Sequence, residues 1–314
     1  MMRVVSLVPA GTEIVAALGA EDALVGISHE CDWPASVASL PRVTATPIDS
    51  RMTAGTIDAE VRRLRSEGRP VIGVDGALLR SLHPDLILTQ DLCDVCAVTD
   101  DDVRSLATAV DPPPMLLPLR ARTLAGIFTD LLAVGTALGQ LDRAHDLVGE
   151  LRARLRALEA NHPPVPPRVA CIEWLDPVYL AGHWVPELIS AAGGRDVGAE
   201  PGAHSRVIEL EMVEALRPDV VIVAPCGFGI DRTETEFRQF EATVRARGGR
   251  PLSDWDASIW LLDGNAYTSR PGPRVVDGAI RMAAALRGDG LPGLRRAPRQ
   301  AAQPGAVGPS TQLL

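Results

Sequence analysis

A phrase written twice limits what this chain can fold into. Leu82-His83-Pro84-Asp85-Leu86-Ile87-Leu88 is answered by Leu216-Arg217-Pro218-Asp219-Val220-Val221-Ile222. In each copy a helical segment stops before a proline, whose ring disfavours helical backbone in the residue ahead of it. An Asp follows, and an apolar run of strand character begins. Each run delivers a cysteine beyond its carboxyl end, Cys93 after the first and Cys226 after the second. A second echo pairs Glu13-Ile14-Val15-Ala16-Ala17-Leu18-Gly19-Ala20 with Glu187-Leu188-Ile189-Ser190-Ala191-Ala192-Gly193-Gly194. Two similar α/β lobes accommodate both echoes. Ligands of open α/β sheets sit beyond the carboxyl ends of the strands, so two such ends facing each other form a cleft.

The order of elements supports this α/β reading, with two Rossmann-like lobes carrying parallel sheets. Strand Val4–Val8 leads to a turn and a helix with Thr12 as its expected N-cap and Glu13 in its first turn. Leu24–Ile27 and 71–74 read as strands, and Thr56–Glu67 and Ala77–Leu82 as helices. Strands alternating with helices imply parallel βαβ units. Asp111-Pro112-Pro113-Pro114 ends that pattern, so the N-terminal lobe is placed at 1–115. A helical linker follows over 116–162, in which Leu124, Ile127, Phe128, Leu131 and Leu132 recur at helical spacing and 141–160 reads as one amphipathic backbone helix of about 30 Å leaning on both lobes. The C-terminal lobe is placed at 163–287, and the Gly-, Pro-, Ala- and Gln-rich 288–314 is expected to be a disordered tail.

Composition narrows the function. The 314 residues suffice for one large core or two ordinary ones. A formal charge of −9 with 46% apolar residues suits a soluble globular protein and argues against a nucleic-acid partner. No apolar run approaches the roughly 20 residues that span a bilayer. Met1-Met2-Arg3 runs straight into the first strand without an apolar signal-peptide region, so the cytoplasm is the expected compartment. There the five cysteines are expected to be thiols, and their clustering raises metal or redox chemistry rather than disulfides.

With both lobes and the connecting helix in place, the chain resembles the class III substrate-binding proteins of ABC importers, the vitamin B12, ferric-siderophore and haem binders. The matching residues are Val5-Ser6-Leu7-Val8-Pro9-Ala10-Gly11-Thr12-Glu13, Leu24-Val25-Gly26-Ile27, Asp32-Trp33-Pro34, Leu82–Leu88, Val185–Gly194, Leu216–Val223 and Arg270-Pro271-Gly272-Pro273-Arg274. They cover about 1–287 in order. The resemblance implies two lobes joined by a single rigid helix, small hinge motion and a shallow, largely preformed ligand cleft between them. It also implies one acidic residue per lobe for docking an ABC permease, with Glu13 and Glu187 as candidates, although charge at helix N-termini explains both equally well.

Several side chains fall on the strand-end loops. Trp33, Trp174, Trp184, Phe228 and Tyr267 concentrate there in a chain with only 4% aromatics, and flat rings suit a macrocycle; ordinary core packing is the competing reading for each. His183 and His204, with His29, offer imidazoles that ligate cobalt, iron or zinc, or are solvated loop histidines. Arg206, Arg270 and Arg274 are candidate partners for ligand carboxylates. Cys31, Cys93, Cys96 and Cys226 lie at strand ends, and Cys93-Asp94-Val95-Cys96 has chelate spacing; zinc, an Fe–S cluster, a redox dithiol and plain burial all remain open. Nucleotide-binding, hydrolase-elbow and metalloprotease motifs are lacking, so no enzymatic step is assigned. The expectation is non-enzymatic binding of a metal-containing tetrapyrrole, cobalamin or another corrinoid or haem. Its partner would be a permease or an intracellular cobalamin-dependent protein. A cysteine-ligated zinc or Fe–S protein on the same fold, with redox activity open to it, is one alternative, and a solute-binding component of an ABC importer for B12 or an iron siderophore is the other.

Overall fold

The computed structural model describes residues 2–91, 107, 108 and 110–298. The N-terminal lobe runs β1 (Val4–Ser6), α1 (Pro9–Ala17), β2 (Leu24–Ile27), β3 (Thr44–Ala45), α2 (Ala54–Ser66), β4 (Gly73–Val74), α3 (Gly76–Ser81), β5 (Leu86–Gln90) and β6 (Met115–Leu119). Its main sheet has the order β2-β1-β5-β6 and is parallel throughout. Helices α4 (Leu124–Ala137) and α5 (Leu141–Glu159) connect the lobes. The C-terminal lobe follows with β7 (Arg168–Leu175), β8 (Val178–Leu180), α6 (Val185–Ala191), β9 (Arg195–Asp196), β10 (Arg206–Val207), α7 (Leu210–Ala215) and β11 (Val220–Val223). It ends with α8 (Ile230–Ala246), β12 (Ser258–Leu262), α9 (Gly264–Tyr267), α10 (Val275–Arg287) and β13 (Leu294–Arg296). Its sheet is ordered β10-β8-β7-β11-β12-β13, with β9 beside β7. The central strands β7, β11 and β12 are parallel, while β8, β10 and β13 join antiparallel.

The repeated phrase has one geometry in both lobes. Asp85 accepts the Arg3 amide at 2.7 Å, donates its own amide to the Arg3 carbonyl at 2.8 Å, and accepts the Met115 amide at 2.9 Å. Asp219 accepts the Arg168 amide at 2.7 Å, donates to the Arg168 carbonyl at 2.8 Å, and accepts the Ser258 amide at 2.9 Å. Each Asp thus ties three strands together at their amino ends. The guanidinium opening the first strand closes the preceding helix: Arg3 donates to the Leu82 carbonyl, and Arg168 to those of Leu216 and Arg217. His83 and Arg217, at φ 41° and 49°, are the left-handed residues that end those helices.

Three boundaries differ from expectation. α1 begins at Pro9, with Val8 as its N-cap, because a proline at N1 is preset for a helix. Thr12 therefore lies inside the helix and is fully buried. β6 extends the first sheet beyond residue 115 into the stretch assigned to the linker. Pro118 is admissible there because β6 pairs on one side only. The connector has the two helices expected: α5 is the backbone helix, and α4 packs along it. α5 touches both lobes, through Arg143 to the Leu18 carbonyl at 2.9 Å and through Arg154 to Asp277. Finally, 288–298 are not a disordered tail. Leu294 and Ala297 are buried and β13 pairs with β12, so two apolar side chains and a strand edge order this segment.

One apolar cluster runs through the whole molecule. It joins Val4, Ile14 and Leu88 of the first lobe to Ile127, Leu131, Val148 and Leu151 of the connector, and to Leu188, Val276 and Met282 of the second. A shared core of this kind restrains hinge motion, since packed interiors are not continuously deformable. The Asp staples are expected to contribute alike. Replacing Asp85 or Asp219 by Ala should each lower the urea-unfolding free energy by about 1–3 kcal/mol, with Asp→Asn milder; a cost confined to one lobe would contradict the equivalence.

Candidate functional site

The carboxyl ends of the two sheets face each other, and the junction between them is held by charge. Glu13 on α1 is 2% exposed at its side chain, and Arg270, just after α9, is 6% exposed. Arg270 donates to Glu13 Oε1 at 3.0 Å, to Asp32 Oδ1, to the Glu30 carbonyl at 3.0 Å and to Asn265 Oδ1 at 2.7 Å. Asn265 donates to the other Asp32 oxygen at 2.8 Å. Arg274 closes on Glu13 with two bonds, Nε to Oε2 at 2.9 Å and Nη2 to Oε1 at 2.6 Å. Planar forks matched to carboxylates in this way are the strong form of the ion pair. Burial works to raise the Asp32 carboxyl, but the Arg270 hydrogen bond and charge, with Asn265 and Arg274, bring it below the ordinary value. Arg270 and Arg274 are therefore committed to protein carboxylates rather than held open for ligand carboxylates.

Glu187 in the first turn of α6 is likewise occupied. Its Oε2 accepts the Leu124 amide at 2.7 Å and so caps α4. Neither Glu13 nor Glu187 is a free acidic surface residue, because each satisfies a group on a neighbouring element.

A second cluster sits where the connector meets the C-terminal lobe. His183 has φ 54°, a left-handed value strained for a residue other than glycine. Three bonds lock its turn to the 202–205 turn: His183 amide to the Ala203 carbonyl at 2.6 Å, Gly202 amide to the His183 carbonyl at 2.8 Å, and Gly182 amide to Ser205 Oγ at 3.1 Å. A side chain at Gly182 would meet the Ala203 carbonyl at 2.4 Å, so only glycine permits the approach. The turns bring the His183 and His204 rings to 5.4 Å, edge to face. Arg122, after β6, contacts His204 Nε2 at 3.2 Å from the other side of the junction. His183 Nε2 is buried and has no hydrogen-bond partner. Burial first, then the neighbouring His204 and Arg122, lower the His183 pKa and keep the imidazole neutral.

The aromatics do not all gather. Trp174 is half-buried with its ring 5.1 Å from that of Phe228, and Arg232 of α8 lies over the Phe228 ring at 3.5 Å. Trp33 is exposed on the N-terminal side, with Arg274 5.2 Å above its ring. Trp184 belongs to the interior: it is buried and donates to the Thr268 carbonyl at 2.9 Å, although its ring stays 5.7 Å from His183. Tyr267 packs under Arg281 of α10 at 3.8 Å and against Gly293, away from the other rings. Arg206 is exposed on edge strand β10 and donates to the Gly198 carbonyl at 3.1 Å. His29 is turned onto Thr44 Oγ1 at 2.6 Å.

The thiols are not assembled by the described residues. Cys93 and Cys96 lie outside them. Cys31 is buried in the common core, its sulfur 3.1 Å from Thr12 Oγ1, and burial pushes its thiol upward against that hydrogen bond. Its place in the structure is that of a packing residue of this core. Cys226 is half-buried beyond β11 on the opposite lobe. Among the described residues no three His, Cys, Asp or Glu side chains form a metal site.

Comparison with known proteins places this geometry in a family. The model described as periplasmic binding protein matches residues 4–243, and the chain belongs to that family. A vitamin B12-binding protein of Vibrio cholerae is 22% identical over 288 residues, covering 91% of this chain and 89% of that protein. A periplasmic heme-binding protein from Pseudomonas aeruginosa superposes with a TM-score of 0.67 at 21% identity, over 95% of this chain and 98% of that one. The heme-binding protein RhuT from Roseiflexus sp. RS-1 gives 0.65 at 22% identity, over 92% and 98%. The vitamin B12-binding protein BtuF of Vibrio cholerae gives 0.59 at 21% identity, over 91% and 96%. At these identities the superpositions establish the fold.

The charged junction generates a stability prediction. Arg270→Met leaves the buried Glu13 with Arg274 as its remaining partner and takes the guanidinium from Asp32, and should cost about 3 kcal/mol. Adding Glu13→Gln should return part of that loss in a double-mutant cycle, and strictly additive effects would refute the coupling. Asp32 titrates below its unfolded value of about 3.9, so its stabilisation is full above that pH and is lost as the pH falls through the folded value. Asp32→Asn should flatten this acid limb of the unfolding curve.

Proposed function

We propose that this member of the periplasmic binding protein family binds a metal-containing tetrapyrrole between its lobes, cobalamin or another corrinoid or haem, without transforming it. The names of its relatives support the ligand class, since vitamin B12 and heme binders share the family and the fold. The single observation that carries the reading for this chain is His183. A neutral imidazole nitrogen, desolvated and without a partner, is the form of histidine that ligates a metal. An unsatisfied buried polar atom costs about 1–3 kcal/mol, a cost that a ligand metal would offset. The half-buried Trp174 and the exposed ring of Trp33 supply flat surface for a macrocycle, Phe228 lies buried under Arg232 beside Trp174, and Trp184 backs His183. Affinity would come mainly from apolar burial, at about 25 cal/mol per Å².

The partner in this reading is an ABC permease if the protein serves import, or an intracellular cobalamin-dependent protein if it stores or delivers the ligand in the cytoplasm. Cell fractionation with an antibody against the chain separates the two roles.

Titration of the purified protein with haemin and with aquocobalamin, followed by visible absorption, tests the ligand class. A saturable band shift with one of them is expected, and His183→Ala should weaken binding by about tenfold, near 1.4 kcal/mol. The pH dependence has a definite sign. The folded His183 pKa lies below the ordinary value of about 6.5, so affinity should be level above that pH and fall as protonation competes with the metal at lower pH. His183→Ala should remove that fall. No spectral change with either compound would end the tetrapyrrole reading.

A further inference from the structure

Residues 44–75 leave the N-terminal sheet and return to it through the narrowest pairing in the lobe. β3 and β4 share two residue pairs, Thr44 with Val74 and Ala45 with Gly73. The helix carried on this excursion, α2, buries only Ala54 and Leu64. Its other face is covered by its own ion pairs, Arg62 with Asp58 and Arg63 with Glu60 and Glu67. Little apolar area therefore fastens the segment to its own lobe.

Its polar fastenings are to the other lobe. Arg232 of α8 donates to the carbonyls of Ser50 and Met52. Glu236, one turn further along α8 and 9% exposed, accepts the Ala54 amide at 3.2 Å. Ala54 opens α2, so an orphan donor of that helix is satisfied across the junction, where the helix dipole also favours a carboxylate. The Asp176 carboxylate closes on Gly55, at which an added Cβ would lie 2.4 Å from Oδ2. Arg232 is at the same time stacked on Phe228, itself against Trp174, so the excursion is seated over the ring pair at the ends of β7 and β11.

We propose that residues 46–66 form a lid over the ligand cleft, latched shut by Arg232 and Glu236, and that release of this latch governs ligand entry and exit. The inference rests on the cleft reading given under Proposed function. A segment with two buried apolar side chains and a few polar ties belongs to the low-stability end of a fold, where local opening occurs without global unfolding. The opposite side of the junction has no such freedom, because Glu13 and Arg270 are buried there. Opening is thus confined to one edge, and it exposes Trp174 and Phe228 while the lobes stay in register.

A reversible cross-link tests the lid. The ideal Cβ at Gly55 lies 3.4 Å from the Asp176 Cβ, close to the roughly 3.5–4.5 Å of a disulfide. In the Gly55→Cys/Asp176→Cys variant, oxidation should slow haemin association by about tenfold or more, and dithiothreitol should restore it, while the wild type under the same oxidant is unaffected. Hydrogen exchange on the ligand-free protein gives a second readout. Arg232→Ala should speed exchange over 54–66 by about tenfold and leave β11 unchanged, whereas the oxidised cross-link should slow it. Equal association rates in the locked and reduced variant overturn the lid, as does exchange over 54–66 that is as slow as in β1 and indifferent to Arg232→Ala. If haemin binds none of the forms, the tetrapyrrole reading fails, and the exchange data alone decide whether the segment opens.

Discussion

The contact on which this architecture depends is a carboxylate with almost no access to water. Glu13 projects from the first helix of one lobe into a junction where Arg270 and Arg274 of the other lobe grip it. A charge in that position is tolerable only when it is paired and its oxygens are saturated by donors. The donors come from residues more than two hundred positions away, so the first lobe does not satisfy this carboxylate by itself. Asp32 and Asn265 complete the arrangement from both sides. The lobes are held at one mutual orientation by this network and by the apolar cluster that continues beneath it through α4 and α5.

Three junctions of different character follow from that arrangement. The Glu13–Arg270 contact is buried and stiff. The connector side is mixed, with Glu187 capping α4 and the exposed Arg122 and His204 meeting beside a desolvated His183. The Arg232–Glu236 edge holds a lightly buried helix by polar contacts. In the proposed lid, stiffness on one edge and looseness on another would let a preformed cleft exchange its contents without moving whole lobes. That gradient is a matter of burial, because the same ion pair or hydrogen bond is stronger and harder to break where water is excluded.

Much of the fold was legible because its signals are local. The Pro-Asp phrase marks a helix end and a strand start by backbone chemistry alone, and its two copies have one hydrogen-bond pattern in the structure. The strand Leu24–Ile27 and the helices near 124–137 and 141–159 follow from apolar period. β6 was hidden by three prolines ahead of it and one within it, and β13 by a Gly- and Pro-rich surround. Both are edge or terminal pairings that a neighbouring strand imposes. At the site, His183 and His204 were recognisable from residue type on strand-end loops. Asp32 entered only as part of the Asp32-Trp33-Pro34 match, and Arg122, Asn265, Arg232 and Glu236 carried no signal, since each acquires a partner across the junction. Trp184 and Cys31 show the reverse case: their position after a strand suggested a cleft, while packing turned both into the interior.

The sequence by itself determined that there are two α/β halves, where their central strands lie, and that each half begins one strand with the same Pro-Asp phrase. These are properties of short segments, set by proline geometry, glycine and apolar spacing. Tertiary structure alone decided which charges are buried, which rings meet and that Cys31 and Cys171 lie in the interior. Those outcomes depend on the docking of surfaces that are distant along the chain, and desolvation, which sets their energies, exists only once that docking has excluded water.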